Sequence, residues 1–328
     1  MNIALCGAGA WGTALARLLL SDRHQLRLWD WDQPNLQLMA ATGRNEKYLP
    51  GIEVGTGFAV AADVAEAAAD AEVTILATRS SAFREVASVL GRSGYTGTVV
   101  SVTKGIEFET GLTMGGVLEA VAPRARHVAL SGPTLAIEVA RGIPTAAVAA
   151  SHDTTAARTA QQLFHRPTFR VYTSPDVVGV ELGGALKNVI AIAAGVCDGL
   201  GFGDNAKAAL VTRALAEMRR LGVACGAQAE TFNGLSGLGD LTVTCFSPLS
   251  RNHTLGERLG RGGKLADLLA ASVAVAEGYP TARAAWRLAR RHEVETPIMD
   301  EVYAMLYATK DLRQALADLI GRSSKAED

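Results

Sequence analysis

The stretch "NIALCGAGAWGTALARLL", residues 2–19, places three glycines between an apolar strand and an apolar-periodic helix. Gly7, Gly9 and Gly12 have the spacing G-x-G-x-x-G. The first glycine permits a tight turn, the second lets a diphosphate approach the backbone, and the third lets helix and strand pack closely. The free N–H groups at the start of the helix favour an anion. This stretch therefore predicts a dinucleotide-binding turn.

Short apolar runs alternate with amphipathic segments from Met1 to about Ser174. We predict strands at "NIALC", "QLRLW", "VTILA", "TVVSVT", "HVALSG", "TAAVAA" and "FRVYTS", with helices such as "TALARLLLSD", "DVAEAAADA" and "SSAFREVASVL" between them. This order predicts an α/β Rossmann-type domain with a mostly parallel sheet. Beyond Pro175 only helical patterns remain. We therefore expect a dinucleotide-binding domain at 1–175 and an all-α substrate and catalytic domain at 176–328.

The composition excludes several classes of function. The 328 residues are 48% hydrophobic and 20% charged, with a net charge of −1, which argues against nucleic acid or a membrane surface as the main partner. The four cysteines form no C-x-x-C pair and suggest buried thiols rather than a metal site. No basic leader precedes the first strand, and no apolar run of membrane length is uninterrupted. We expect a cytoplasmic protein without membrane insertion.

Lys187 stands in the otherwise apolar stretch "ELGGALKNVIAIAAGVCDG". In a helix, its neighbours three and four positions away are glycine, alanine and isoleucine, so none offers an opposite charge. One interpretation is that the stem lies on the core while the ammonium reaches water. The other is a buried lysine compensated by a group outside the helix. The stretch alone leaves both open.

Other isolated polar residues lie in Gly-rich contexts: Lys104 in "SVTKGIE", Gly132 and Thr134 in "LSGPTLAIEVARG", Asp240 in the Gly-flanked turn of "LSGLGDLTVTC", and Ser250, Arg251 and Asn252 in "SPLSRNHTLGERLG". Lys104 follows a predicted strand, where ligands of such sheets gather. The "SRN" tripeptide supplies a hydroxyl, a guanidinium fork and an amide, all able to donate to a phosphate. It also has the pattern of a helix N-cap followed by a solvated arginine.

Taken together, these motifs resemble a known family. The chain is similar to the NAD(P)-dependent glycerol-3-phosphate dehydrogenases, especially the soluble bacterial type, over nearly its whole length: "GAGAWGTALA", "RNEKYLPG", "TKGIE", "LSGPTLAIEVARGIPTA", "ELGGALKNVIAIAAGVCDGLGFGDNAKAAL", "GLSGLGDLTVTC", "SRNHTLGERLG" and "VAEGYPTA". The resemblance implies reversible reduction of dihydroxyacetone phosphate to sn-glycerol 3-phosphate by NADH or NADPH, supplying glycerophospholipid synthesis.

The resemblance also implies roles for individual residues. Lys187 matches the lysine that donates a proton to the substrate carbonyl oxygen, Asp240 its charged partner, and Lys104 a second lysine touching substrate and cofactor. The other positions matching glycerol phosphate contacts are Gly132, Thr134, Ser250, Arg251 and Asn252. Those matching cofactor contacts, besides the three glycines, are Ala10, Trp11, Trp31, Lys104, Ala136, Arg251, Val275 and Glu277.

Some positions depart from the family pattern. Arg79 and Ser81 stand where Pro and His are usual, and Ile137 replaces a common Lys. Thr134 replaces a more usual Ser and keeps the hydroxyl. These departures affect loop details rather than the chemistry. Lys207 in "GDNAKAAL" is a weaker candidate, which we interpret as structural or supporting.

The second predicted strand bears on the choice of dinucleotide. Asp30 follows Gly12 by 18 residues, about where an acidic residue accepts hydrogen bonds from the adenosine ribose of NAD. The residues after it add Asp32 and no base, so two carboxylates would repel the 2′-phosphate of NADP. We therefore expect NADH to be favoured over NADPH. Alternatively, Asp30 points to solvent, as a strand-end Asp often does in a turn.

Two rival functions remain open from the sequence. One is another two-domain dehydrogenase with a helical second half, acting on a β-hydroxyacid such as 6-phosphogluconate. The other is a nucleotide-sensing binding module without catalysis. The fold also suggests a homodimer, by analogy only.

Overall fold

The computed structural model describes residues 1–20, 24–271 and 276–322. Within these residues the first half forms one eight-stranded sheet: β1 Asn2–Cys6, β2 Gln25–Trp29, β3 Phe58–Val60, β4 Val73–Leu76, β5 Thr98–Ser101, β6 Arg126–Ser131, β7 Thr145–Ala150 and β8 Phe169–Ser174. The strand order is β3-β2-β1-β4-β5-β6-β7-β8, and only β6 and β7 pair antiparallel. The predicted α/β fold with a mostly parallel sheet is confirmed.

Helices cover both faces of this sheet: α1 Ala10–Leu20, α2 Gln33–Thr42, α3 Val64–Ala68, α4 Ser80–Arg92, α5 Met114–Val121, α6 Ala136–Ala140 and α7 Thr154–Phe164. Side chains alternate along β1, so that Ile3 and Leu5 belong to one apolar core while Ala4 and Cys6 belong to another. Burial on both faces explains why the parallel strands are continuous apolar runs.

Strand β3 is the strand that the sequence analysis did not predict. It has three residues and none of them is fully buried. It lies at the edge of the sheet, where it pairs with β2 from Leu26 and Phe58 onward. A strand this short and this exposed has no apolar run to indicate it.

The part of the chain described after Ser174 is helical: α8 Val177–Gly199, α9 Asp204–Ala224, α10 Asp240–Phe246, α11 Arg251–Gly260, α12 Leu265–Ala270, α13 Gly278–Arg291, α14 Pro297–Tyr307 and α15 Leu312–Ile320. A 3₁₀ turn at Ala229–Asn233 and a π-helical turn at Leu235–Gly239 precede α10. The predicted all-α second half is confirmed. A domain division at residue 175 stays a prediction.

Helix α8 is the core of the second half. Its N-cap Asp176 accepts hydrogen bonds from the amide of Gly179 at 2.9 Å and from the hydroxyl of Thr231 at 2.5 Å. The helix is long and apolar enough to span a membrane, but 94% of its apolar window is buried inside the structure. Helices α9, α10, α11, α13 and α14 supply that cover. Its composition is therefore that of a core helix surrounded by other helices.

Helices α8 and α11 approach so closely that glycine is required on both. A Cβ on Gly195 would overlap the carbonyl oxygen of His253, and a Cβ on Gly256 would overlap that of Ile192. Backbone atoms cannot move aside as a flexible side chain can. This crossing fixes α11, and hence the "SRN" tripeptide at its start, against α8.

We predict that Gly256→Ala lowers the free energy of unfolding by about 3 kcal/mol, because a buried backbone contact leaves no room for the methyl group. Urea unfolding measures this change. Gly203→Ala is the matched control: a Cβ there meets nothing within 4 Å, so a loss below about 1 kcal/mol is expected. Equal effects of the two substitutions would contradict the packing argument.

Candidate active site

The glycine-rich turn joins β1 to α1 with the geometry that its spacing predicts. Gly7 has φ of 112°, and a Cβ there would lie 2.5 Å from the carbonyl oxygen of Ala77. A Cβ on Gly12 would overlap the carbonyl oxygen of Gly7. A Cβ on Gly9, by contrast, would meet nothing within 4 Å. The fold itself thus requires Gly7 and Gly12, whereas the space beside Gly9 is open to a ligand.

Asn45 holds this turn in place. Its side-chain amide, which is buried, donates to the carbonyl oxygen of Ala8 and to Oγ1 of Thr13, both at 2.8 Å. The Thr13 hydroxyl donates to the same carbonyl oxygen at 3.0 Å. The "RNEKYLPG" motif by itself indicates no role for Asn45. Such a role is hidden in sequence because Asn45 and Ala8 are 37 residues apart.

Asp30, at the end of β2, faces the turn rather than solvent. One carboxylate oxygen accepts from the amide of Ala8 at 2.6 Å, and the other accepts from the amide of Asp32 at 2.8 Å. Asp32 caps α2 and forms an ion pair of 2.5 Å with Lys47. Of the two carboxylates expected to repel a 2′-phosphate, that of Asp32 is therefore offset by the ammonium of Lys47. Lys47 lies fifteen residues after Asp32, beyond helix α2, so local sequence patterns do not indicate this contact.

Lys187 and Lys104 share the carboxylate of Asp240. Nζ of Lys187 lies 2.6 Å from Oδ1, and Nζ of Lys104 lies 2.6 Å from Oδ2. The Asp240 side chain is 1% exposed and that of Lys187 is 9% exposed. The interpretation in which the ammonium of Lys187 reaches water is thus wrong. The ammonium is directed at a buried carboxylate, whose negative charge offsets the cost of desolvation.

Lys187 also donates to Oγ1 of Thr244 at 2.7 Å. These two bonds account for two of its three N–H groups, and the third has no partner among the described residues. The ammonium of Lys104 is more fully occupied: besides Asp240 it contacts the carbonyl oxygen of Gly132 at 2.9 Å and Oγ1 of Thr134 at 3.4 Å. The two lysines therefore differ in their capacity to donate to a ligand.

The pKa of Lys187 is lowered to about 8, chiefly by burial; the carboxylate of Asp240 opposes this shift, and the neighbouring ammonium of Lys104 adds to it. Burial dominates because Lys187 is almost completely removed from water, which disfavours its charged form. The group can thus give and regain a proton near neutral pH.

Glycines on α8 make room for this cluster. A Cβ on Gly184 would overlap Oγ of Ser131 and lie 3.4 Å from Cγ of Lys104, so the strand ends pack directly on the helix. A Cβ on Gly183 would lie 2.6 Å from the carbonyl oxygen of Ser236, in the π-helical turn. Asp240 is therefore not in a turn, as the sequence analysis expected, but begins helix α10 immediately after the π-helical turn.

The start of α11 lies beside Lys187. Ser250 is the N-cap, as one interpretation predicted, and its Oγ accepts from the amide of His253 at 3.2 Å. Asn252 donates to Oδ1 of Asn188 at 2.8 Å and accepts from the amide of Gly278 at 2.9 Å. The side chain of Arg251 is exposed, at the end of the helix that is nearest these groups.

Glu277 links this region to the sheet. Its carboxylate accepts from the amide of Ser80 at 3.2 Å and from the Ser80 hydroxyl at 2.5 Å. Burial raises the pKa of Glu277, while these hydrogen bonds and the charges of Arg251 and Arg79 lower it. Glu277 thus lies between the carboxyl end of β4 and the start of α11.

Comparison with known proteins gives a consistent result. Models of the N-terminal and C-terminal parts of NAD-dependent glycerol-3-phosphate dehydrogenase match residues 2–157 and 176–317. The chain belongs to this family.

Two curated relatives, each named glycerol-3-phosphate dehydrogenase [NAD(P)+], come from Syntrophotalea carbinolica and Geobacter metallireducens. The first is 49% identical over 100% of this chain and 99% of the relative; the second is 50% identical over 99% and 98%. A crystal structure of glycerol-3-phosphate dehydrogenase from Coxiella burnetii has a TM-score of 0.94 at 35% identity, covering 98% of each chain. A ketopantoate reductase from Ralstonia eutropha, at 16% identity and TM-score 0.63, shares the fold.

The remaining family positions lie around the turn and the sheet edge. Ala10 and Ala136 begin α1 and α6, and Trp11 packs against Phe169 with ring centroids 6.5 Å apart. Trp31 is 58% exposed and meets Trp29 edge-on at 5.0 Å. Val275 lies outside the described residues. The departures Ser81 and Ile137 stand in the first turns of α4 and α6.

Lys207 is separate from the Asp240 cluster. Its ammonium pairs with Asp198 at 2.8 Å, and His253 contacts the same carboxylate oxygen at 2.7 Å. This arrangement ties α9 to α8 and α11. The described residues contain no group of three or more metal-binding side chains, and Cys6, Cys197 and Cys245 are buried free thiols, with Cys225 only partly buried.

Two residues of the cluster were missed from the sequence, although a local signal exists for each. Asn188 follows Lys187 and is a further polar side chain in the same apolar stretch. Thr244 lies four residues after Asp240, which places both on one helix face. Its hydroxyl donates to the carbonyl oxygen of Asp240 at 2.6 Å and accepts from Lys187.

We predict that Asp240→Asn lowers the free energy of unfolding by about 3 kcal/mol at pH 7, because two neighbouring ammonium groups lose their shared counter-charge. Urea unfolding measures it. Asp318→Asn is the control, because Asp318 pairs with Lys310 at the surface. This substitution should lower the free energy of unfolding by less than about 1 kcal/mol. A loss at Asp240 no larger than that at Asp318 would show that the cluster is not held by charge.

Proposed function

We propose that this chain catalyses the reversible reduction of dihydroxyacetone phosphate to sn-glycerol 3-phosphate with NADH or NADPH, the activity for which its close relatives are named. The observation that carries the proposal is a buried lysine with one unused N–H, paired to a buried carboxylate. This group lies among the carboxyl ends of the strands, where ligands of such sheets bind.

Lys187 is the general acid of the reduction. When bound, the reduced nicotinamide supplies a hydride to the carbonyl carbon. The unused N–H of Lys187 then points a proton at the carbonyl oxygen as negative charge develops there. A pKa of about 8 suits this task, because the protonated form dominates at neutral pH while the neutral form is still accessible for the reverse reaction.

Lys104 and Asp240 support the proton transfer from Lys187 in different ways. The N–H groups of Lys104 are engaged by the protein, so its contribution is the electrostatic stabilisation of the developing alkoxide. Asp240 accepts from both ammonium groups and fixes their positions without touching the substrate carbon. Thr244 orients Lys187 by accepting one of its N–H groups.

The start of α11 binds the substrate phosphate in this proposal. Arg251 offers an exposed guanidinium fork, and Asn252 retains one amide N–H beyond the one given to Asn188. Ser250 contributes through its place at the helix N-terminus. Gly132 and Thr134 lie on the opposite side, next to Lys104.

The dinucleotide fits the turn at the start of α1. Its diphosphate would lie over Gly9, where the structure leaves room, between Gly7 and Gly12. The resemblance implies further cofactor contacts from Ala10, Trp11, Trp31, Lys104, Ala136, Arg251 and Glu277, and from Val275, which lies outside the described residues. Asp30 is positioned by two backbone amides to accept from the adenosine ribose.

We also propose the domain division at 1–175 and 176–328, a cytoplasmic location, a homodimer, and a role in supplying glycerophospholipid synthesis. The burial of α8 supports a protein that does not insert into membranes. The 6-phosphogluconate alternative has no support from the family match. The intact lysine–aspartate cluster argues against a nucleotide-sensing module without catalysis.

The function is tested by NADH oxidation, followed by absorbance, in wild type and Lys187→Ala. Wild type should turn over dihydroxyacetone phosphate, with dihydroxyacetone a poor substrate and 6-phosphogluconate inert with NAD⁺. Lys187→Ala should lose at least about a hundredfold in kcat, since a positioned acid typically supplies 10²–10⁴-fold, while the Kd of NADH stays the same. Activity of the variant within tenfold of wild type would remove Lys187 from this role.

The direction of the pH dependence follows from the protonated form being the acid. We predict that kcat/KM for dihydroxyacetone phosphate falls about tenfold per unit as the pH rises above about 8, the pKa of Lys187. For glycerol 3-phosphate oxidation, which needs the neutral amine, kcat/KM should rise with pH and level off above the same value. A reduction rate that is constant between pH 7 and 10, with an unchanged Kd of NADH, would contradict the assignment.

We propose that NADH is favoured over NADPH, and the support is Asp30. The charge of Asp32 is offset by Lys47, so the carboxylate of Asp30 is the group that repels the 2′-phosphate of NADPH. Asp30→Asn keeps an acceptor for the Ala8 amide and removes the charge. It should raise kcat/KM for NADPH relative to NADH by about tenfold. Asp32→Asn, the matched control, should change the ratio less. A wild-type preference for NADPH would refute this.

A further inference from the structure

The loop between β4 and α4 lies directly on the glycine-rich turn. A Cβ on Gly7 would approach the carbonyl oxygen of Ala77 at 2.5 Å and the amide nitrogen of Thr78 at 3.1 Å. A Cβ on Gly12 would also reach the methyl group of Ala77, at 3.4 Å. The residue that follows, Arg79, therefore stands at the rim of the space that opens beside Gly9.

Arg79 begins α4 with an exposed side chain that makes no capping hydrogen bond. The next residue, Ser80, donates twice to the carboxylate of Glu277. The charges of Arg79 and Arg251 both act on that carboxylate, and Arg79 also repels Arg251. Two guanidinium groups thus flank one carboxylate that is already engaged by Ser80. Within the described part of the chain, this pair of arginines thus carries one positive charge more than Glu277 can offset.

We propose that Arg79 binds the diphosphate of the dinucleotide, as a side-chain contact that supplements the backbone of the glycine-rich turn. A guanidinium fork matches two phosphate oxygens, and a diphosphate supplies the negative charge that this pair of arginines lacks. The inference rests on the proposed use of a dinucleotide, but not on the identity of the substrate.

The two arginines lie on different parts of the chain, so Arg79 can bind the dinucleotide while Arg251 binds the substrate. Arg79 is carried by the loop that touches Gly7 and Gly12, so its position is fixed relative to the turn. Arg251 is carried by α11, next to Asn252 and thus to the polar group beside Lys187. Removing the side chain of Arg79 should therefore weaken the binding of the dinucleotide and leave the binding of the substrate unchanged.

Isothermal titration of NADH into the protein without substrate tests this inference directly. Arg79→Ala should raise the Kd about tenfold, the loss expected for one charge-assisted hydrogen bond at an exposed site. Arg79→Lys should fall between wild type and Arg79→Ala, because the charge remains but the fork is lost. Arg92→Ala is the matched control, since Arg92 is an exposed arginine at the other end of the same helix. Its Kd should equal that of wild type.

Salt separates the electrostatic contact from a change in the turn. The difference between wild type and Arg79→Ala should shrink in 0.5 M KCl, because screening weakens the guanidinium–phosphate attraction. An unchanged Kd in Arg79→Ala, or a raised KM for dihydroxyacetone phosphate at saturating NADH with no change in Kd, would overturn the proposal. A wild-type protein that binds NADH but does not reduce dihydroxyacetone phosphate would refute the proposed function and leave this inference standing.

Discussion

The sharing of one buried carboxylate by two lysines is the constraint on which the rest of the site depends. Asp240 holds Lys187 from the helical half and Lys104 from the sheet, both at 2.6 Å. Neither ammonium could be buried alone, because desolvation would neutralise it. The same carboxylate keeps a second charge close enough to lower the pKa of Lys187. A single aspartate thus joins the two halves and holds Lys187, the proposed general acid, whose pKa is lowered chiefly by burial.

The backbone geometry follows from that constraint. For Asp240 and Lys104 to reach a lysine inside α8, two other segments must contact the helix backbone one turn before Lys187. Gly183 and Gly184 allow this approach, from the π-helical turn and from the end of β6. The π-helical turn delivers Asp240 at the first residue of α10, so that its side chain points back at α8. Such local distortions of a helix are frequent at functional sites.

Whether a feature can be predicted from the sequence depends on how far apart in the chain its residues lie. Strands β1 and β8 have the predicted bounds, because a strand buried on both faces forms an apolar run and a strand buried on one face alternates. The glycine turn was equally local. Contacts such as that of Lys47 with Asp32 join residues on either side of a helix, and no sequence periodicity predicts them. The cluster itself joins residues 53 and 136 positions apart, so its assembly was implied only by resemblance, while its geometry required the fold.

The charge balance of the site explains why its ligands must be anions. Lys104, Lys187, Arg79 and Arg251 face two carboxylates, those of Asp240 and Glu277. Asp240 accepts from both lysines, and Glu277 accepts twice from Ser80. Among the described residues these six side chains thus carry a positive surplus, although the chain as a whole has a net charge of −1. A focused surplus of this kind raises the local concentration of anions over that of neutral analogues. Selection of a phosphorylated ketone and a dinucleotide therefore begins with the field of the site, before any single hydrogen bond forms.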